Sequence, residues 1–517
     1  GEFADLRAQL LPPEEYQPKL AEFCQQAGIP ATARDLVEHL KTLLTETAAS
    51  VDQGYPANGH LTITPEGAVI LKRVRRKEVP QSALALEAAL LEEMPVRTVL
   101  EALRNVQHWT NFAQFFGPLS GSEPKLDDPI PKYLLTVFGY GTNMGPAELS
   151  RHVRGGISAQ TFGRINARHV STEGLDRGSR LIIDIYHACE LPHSWGDEQV
   201  ASADGTMQEL HEGNLMTEYH VRYGRFGGIA FHYVSSLYIA LLSHFIPASA
   251  WEGIYLIDAY LHNQSLIQPT TLHTDTQGQS APIFGMAYLL GINLMPRIRN
   301  WKGITLYRPM RDTTYENIDS LFTGIVEWDF MERHWEDAMQ AMISIKEGRI
   351  LPSTLLRKLS NYSRKNKLYQ IFKAVGDVVR TMFLLKYISS LEIREVITQE
   401  TNKVEAYNGF CAWVAFGGDH VLTGMDADTF EKRVKYTDLV ANALILHNVV
   451  DMSVALETLQ RRGYVVTQET VAHLSPYLTR NWKRFGEFAI DMEQVPPPLT
   501  SLVRLFAGAL PEGPGKK

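Results

Sequence analysis

Three carboxylates stand where chemistry could be done. Asp204 lies in SADGT at the end of an alternating run, Asp275 in LHTDTQG where a β-branched run stops, and Glu405 in NKVEAYNG within a helical pattern. An Asp in a strand is disfavoured and a lone buried carboxylate is costly, so each requires a reason. An all-oxygen donor set suits a hard cation such as Mg2+ or Mn2+, which keeps several waters and completes its shell with substrate phosphate oxygens. Two such ions about 3.5–4 Å apart serve phosphodiester chemistry by activating an attacking oxygen and stabilising a leaving one. Plainer roles compete. Asp before Gly or Gln-Gly forms turns, a Glu on a helix is usually a surface residue, and Glu395 and Glu400 lie close to Glu405.

The helical wheel favours Glu405 among these. Asn402 and Asn408, three residues to either side, form one polar stripe with it, while Val404, Tyr407, Cys411 and Val414 form an apolar face. His273, two residues before Asp275 on the same strand face, is expected to be a polar neighbour rather than a site member. GYGTNMG (139–145) misses the GxGxxG spacing, and HExxH, GxSxG and GxxxxGK[ST] are absent. Three distant cysteines without CxxC spacing exclude a zinc ribbon or a disulfide framework and fit a reducing compartment.

The elements around the carboxylates are legible in outline. At 517 residues, 44% apolar and 21% charged, the chain is long enough for about three or four compact units. The net charge of −8 argues against non-specific coating of nucleic acid. The most apolar window, 228–245, is interrupted by two histidines and three serines, so no membrane span is expected. The chain opens at GEF without Met and without a signal segment, as expected of a cloning scar on a piece of a longer protein.

Residues 1–125 read as mainly helical with one hairpin, which turns at Pro65-Glu66-Gly67. Residues 126–198 read as a linker followed by two short helices joined at Gly155-Gly156, similar to a DNA-binding helix-turn-helix, with Arg151 and Arg154 on it. From 199 to 312 the expected order is βββαβαβ, a mixed α/β sheet with Asp204 ending the first strand and Asp275 the fourth. Residues 313–397 are expected to be helical. Their stretch 349–386 carries nine basic residues against Asp377 alone, a patch suited to a phosphate backbone. Residues 398–425 hold the helix of Glu405, and 426–517 are again helical.

Long phrases in order then carry a resemblance: SADGT, PTTLHTDTQGQSAPIFGMAYLLGINLMPRIRNWK, NKVEAYNGFCAWVAFGG, KYTDLVANALILHNVVDMSVALETL and LSPYLTRNWKRFG. From about Trp109 to about Phe488 the chain resembles the transposases of the Tn3 family of replicative transposons. The resemblance implies an RNase H-like core in which Asp204, Asp275 and Glu405 match the family's DDE triad and hold two Mg2+ or Mn2+ ions. It implies that the helical block before Glu405 is an insertion domain between helical flanks. The implied chemistry is DNA 3′-end cleavage followed by strand transfer to target DNA, by a homodimer in the bacterial cytoplasm, associated with the nucleoid. Arg297, Arg299 and Lys302 are expected as phosphate clamps beside the site, and Arg364, Lys365 and Lys367 as DNA contacts on the insertion. Family members are commonly much longer and carry DNA-end recognition domains ahead of this region. Two other readings stay open: an RNase H-like nuclease that cuts without joining, and a non-catalytic DNA-binding scaffold.

Overall fold

The computed structural model describes residues 8–75, 78–120, 126–210, 218–220, 225–247, 252–361, 366–418, 421–422 and 426–499. In the N-terminal region, helix α1 (Ala33–Gly54) starts where the Thr32 side chain accepts a hydrogen bond from the Asp35 amide. The expected hairpin follows as antiparallel β1 (Leu61–Ile63) and β2 (Val69–Leu71), with Gly67 at φ +80° supplying the left-handed turn residue. Helices α2 (Gly145–His152) and α3 (Ala159–Arg168) are the expected short pair. Between them Gly155 and Gly156 both take positive φ. The long α4 (Thr172–Ala188) then leads to the sheet.

The sheet is built from β3 (Val200–Leu210), β4 (Glu218–His220), β5 (Arg225–Ser235), β6 (Ala240–Pro247), β7 (Thr271–Thr274) and β8 (Asn293–Pro296), with α5 (Leu256–His262) and α6 (Ala281–Leu289) as crossovers. Antiparallel pairing joins β3 to β5 and β5 to both β4 and β6, while β7 runs parallel to β3 and β8 parallel to β7. A short strand, Val421–Leu422, pairs parallel with the far end of β3. The sheet is therefore mixed, as the α/β expectation requires. Strand β6 differs from the sequence reading, which ran the third strand directly into a helix from Pro247. The helix there is shorter, preceded by a 3-10 turn at Glu252–Tyr255. Its β-branched and aromatic neighbours were legible only as a continuous apolar run, which periodicity cannot assign.

Four helices follow β8 before the chain reaches its last long one: α7 (Trp328–Lys346), α8 (Pro352–Asn361), α9 (Lys367–Ser389) and α10 (Leu391–Val414). Helix α9 packs against α6 at the sheet and against α1 of the N-terminal region. Two glycines permit the first contact: a Cβ at Gly376 would stand 1.7 Å from the Ala281 carbonyl oxygen, and one at Gly285 would stand 2.0 Å from that of Phe372. Helix α11 (Ala427–Arg461), capped by Asp426 accepting from the Thr429 amide, is apolar and long enough to cross a bilayer. Yet 94% of its apolar window is buried among the other helices. One continuous cluster of buried side chains runs from Leu11 to Phe488, so the segments share a core rather than each enclosing its own.

Candidate active site

Strand register brings the two aspartates together. The parallel ladder of β3 and β7 pairs Ala203 with Thr274, which brings Asp204, in mid-strand rather than at the strand end expected from the sequence, close to Asp275, the residue that follows β7. Neighbouring strands lie about 4.8 Å apart. Strand β7 ends at Thr274 because Asp275 caps the 3-10 turn Thr276–Gln279, its Oδ1 accepting from the Gln277 amide at 2.7 Å. Asp275 is thus a turn former, and being one fixes where its carboxylate stands. Gly278 accepts the close return of that turn, since a Cβ there would be 2.3 Å from Thr274 Oγ1.

Helix α10 brings Glu405 over this edge. Val404, Tyr407, Cys411 and Val414 are buried, as the apolar face required. Two buried polar anchors fix the rotation of the helix. Lys403 Nζ donates to the carbonyls of Trp195 (3.0 Å) and Ser236 (2.9 Å) and to Glu400 Oε1 (2.8 Å), and the Tyr407 hydroxyl donates to Asp438 Oδ1 at 2.8 Å. The rival Glu400 is therefore committed inside the fold. Glu405 stays 53% exposed and meets Arg297, whose Nη1 lies 2.8 Å from Glu405 Oε1, while its Nη2 donates to Asn402 Oδ1 at 2.8 Å. Arg297 is held in turn by its own amide, which donates to the Thr274 carbonyl beside Asp275 at 2.8 Å.

The electrostatics follow from this placement. Asp204 is pushed up to about 7, first by burial, then by the negative charges of Asp275 and Glu405; the Gly205 amide and His232 oppose the rise. A shift that depends on two other carboxylates shows that the three groups feel each other. They are not drawn into one cage: among the described residues, the group whose ligand atoms all lie within 4.8 Å of one another is His232, Cys411 and Asp438, all buried. Three carboxylates with a shared, incompletely compensated charge are a donor set that fits a hard divalent cation.

Beneath Asp204 lies a polar network that sequence reasoning missed. His232 faces Asp204 across the β3–β5 ladder. Its Nδ1 lies 2.8 Å from Asn408 Oδ1 and its Nε2 3.2 Å from Asp438 Oδ1. Asn408 Nδ2 donates to Asp204 Oδ2 at 3.3 Å. Burial alone would lower the His232 pKa, but Asp438 outweighs it and the value rises; burial would raise Asp438, and His232 brings it down. The signal available was a lone Asp in the apolar helix KYTDLVANA and a His inside the strand AFHYVS, each of which demands a partner when buried.

The remaining expected residues are dispersed. His273 is a core residue, 1% exposed, its Nδ1 3.3 Å from the Met295 carbonyl oxygen, and burial lowers its pKa to about 4. Arg299 is exposed just beyond β8, and Lys302 lies in the 3-10 turn Trp301–Gly303, its side chain outside the described residues. Arg364 and Lys365 also lie outside the described residues, whereas Lys367 is exposed at the start of α9. Much of the basic stretch is spent internally: Arg349 pairs with Glu15 at 3.3 Å, Lys373 with Asp377 at 2.5 Å, and Arg380 Nη1 donates to the Gln279 carbonyl at 3.3 Å. Arg154 pairs with Glu487, and the exposed Arg151 donates back to the Ala147 carbonyl at 3.3 Å. GYGTNMG closes a helix against α11, where a Cβ at Gly141 would meet Val440 at 2.5 Å.

Comparison with known proteins identifies the family of the chain. Residues 101–488 match the profile of the Tn3 transposase DDE domain. The chain is 25% identical over 431 residues to the transposase for transposon Tn1546 of Enterococcus faecium, covering 83% of this chain and 43% of that one. It is 26% identical over 497 residues to the transposase for transposon gamma-delta of Escherichia coli (strain K12), covering 95% and 50%. It is also 26% identical over 486 residues to the transposase for transposon Tn501 of Pseudomonas aeruginosa, covering 92% and 48%. The chain spans about half the length of these curated relatives.

Proposed function

This chain belongs to the Tn3 transposase family, and from that premise we propose that it cleaves DNA at a transposon 3′ end and transfers the freed strand to target DNA in replicative transposition. The observation that carries the reading is the placement of Asp204 on β3 beside Asp275 just past β7, with Glu405 on α10 close enough that its charge, like that of Asp275, adds to burial in raising the Asp204 pKa. We read the sheet as an RNase H-like core. Support comes from its spatial order β6–β5–β3–β7–β8, antiparallel on one side of β3 and parallel on the other, with β4 as a short addition. On that reading α7 to α9 are an insertion that closes onto α6.

The chemistry is two displacements at phosphorus. Water opens a phosphodiester and leaves a 3′ hydroxyl; that hydroxyl then attacks a target phosphodiester and displaces its 3′ oxygen. Asp204, Asp275 and Glu405 would hold Mg2+ or Mn2+, which when bound supplies charge neutralisation at the phosphate and activation of the attacking oxygen. Asp275 is fixed by its own turn and Asp204 by its strand, so these two are presented rigidly. Glu405 sits on an exposed stripe, paired to Arg297, and can exchange that partner for a ligand position. Arg299, Lys302, Lys367, Arg364, Lys365, Arg151 and Arg154 would contact phosphates without reading sequence, and Arg297 would join them once released from Glu405. Processing of two ends calls for two copies of the chain.

The test is Asp275→Asn. We expect cleavage and joining to fall by on the order of 1,000-fold or more, as for loss of a group that stabilises the transition state, while DNA affinity stays within a fewfold of the parent protein. Gel assays with end DNA and a plasmid, beside an anisotropy titration, read both. Full activity in the variant removes the triad assignment, and cuts without joined product favour a nuclease.

A further inference from the structure

Asn408 touches Asp204 with one end of its amide and the buried His232 with the other. It lies one helical turn beyond Glu405 on α10. Asp204 and His232 are direct partners across β3 and β5, so their side chains project from the same face of the sheet, the face that α10 covers. Asn408 enters between them, with its Oδ1 2.8 Å from His232 Nδ1 and its Nδ2 3.3 Å from Asp204 Oδ2. The other ring nitrogen of His232 faces Asp438 Oδ1 at 3.2 Å, and that oxygen also accepts from the Tyr407 hydroxyl at 2.8 Å. His232 is 2% exposed and Asp438 6%, so this chain of contacts is shielded from water.

The direction of the amide is decided from behind. With Asp438 accepting at Nε2, His232 protonated at both nitrogens donates from Nδ1 to the oxygen of Asn408, and an ionised Asp204, which can only accept, favours the same direction of the amide. Its NH2 group must then face Asp204. We infer that Asn408 is a positioning residue for Asp204: the buried His232–Asp438 pair locks its amide, and the amide holds one oxygen of Asp204 so that the carboxylate is aimed as a ligand. Outer partners of this kind are worth about 10- to 100-fold in metal affinity. The same helix then carries one ligand, Glu405, and the group that aims another, so a shift of α10 moves two of the three carboxylates together. This inference rests on the reading of the three carboxylates as metal ligands.

The experiment is Mn2+ binding to the whole chain without DNA, followed by electron paramagnetic resonance, in the parent protein and in Asp204→Asn, Asn408→Leu, Asn408→Ala and His232→Gln. Both Asn408 variants should bind Mn2+ about 10- to 100-fold more weakly, with circular dichroism and a thermal midpoint like those of the parent. Asn408→Leu combined with His232→Gln should bind no more weakly than Asn408→Leu alone, because the histidine acts through the amide. Folded Asn408 variants with Mn2+ affinity within twofold of the parent, beside a weakened Asp204→Asn, would overturn the positioning role and leave the triad standing. An Asp204→Asn protein that binds Mn2+ like the parent would take down the triad and this inference with it.

Discussion

The two sides of α10 handle charge in opposite ways. On the side that meets the core, Lys403 is paired with Glu400 and His232 with Asp438, and each pair is further bonded to backbone or hydroxyl groups. On the other side, Asp204, Asp275 and Glu405 gather, with Arg297 paired to Glu405. The buried side is neutral because ionised groups removed from water must be paired. On the side proposed as catalytic, Asp204 is raised, first by burial and then by the charges of Asp275 and Glu405. On the proposed reading, the gathered carboxylates Asp204, Asp275 and Glu405 are the place where a bound cation would supply positive charge.

Breaking the buried side should have the largest effect on stability. Asp438→Ala strands His232 without its counter-charge and should cost about 3–5 kcal/mol, the range for removing one partner of a buried pair. Urea unfolding measures this, and a change under 1 kcal/mol would show that the His232–Asp438 contact is not an ion pair. On the catalytic side the sign should reverse. The folded-state pKa of Asp204 is raised, to about 7, above that of an unfolded Asp. Its contribution is therefore present at low pH, declines as pH rises from about 4, and is fully lost once pH has passed about 7. Without divalent ions, the thermal midpoint of the parent protein should fall across that window, and Asp204→Asn should be the more stable protein at pH 8 but not at pH 5. Parallel pH profiles for the two proteins would mean that neither burial nor the neighbouring carboxylates raise the Asp204 pKa.

The smallest effect is expected at the seam between the sides. Arg297→Ala removes the partner of a half-exposed Glu405 and should cost about 0–1 kcal/mol in the same urea assay, since a pair in contact with water contributes little. A loss as large as that of Asp438→Ala would move Arg297 from the catalytic side of the comparison to the structural one.

Much of the site was legible before any coordinates. The period-2 pattern of β3, the stop after LHTD and the 3.6-residue stripe of Asn402, Glu405 and Asn408 each survive in the structure, because local geometry produces them. The strand β6 and the network of His232, Asn408 and Asp438 were not legible, for different reasons. An apolar run suits a strand or a buried helix alike. The network joins residues 176 and 204 positions apart, which only the pairing of β3 with β5 and the packing of α10 and α11 bring together. In the basic stretch 349–386, α9 is buried along most of its length and Lys373 and Arg380 bond within the protein, while Arg349 and Lys367 stay exposed.

By itself, then, the sequence determined the identity of the three carboxylates, the elements that carry them and the family phrases around them, since those depend on residue type and short-range spacing. Only the tertiary structure decided that Asp204 on β3 lies close to Asp275 just past the end of β7, that Glu400 is spent on Lys403, and that Arg297 holds Glu405. Those outcomes depend on strand register and on the rotation of one long helix, which are fixed by contacts between residues far apart in the chain.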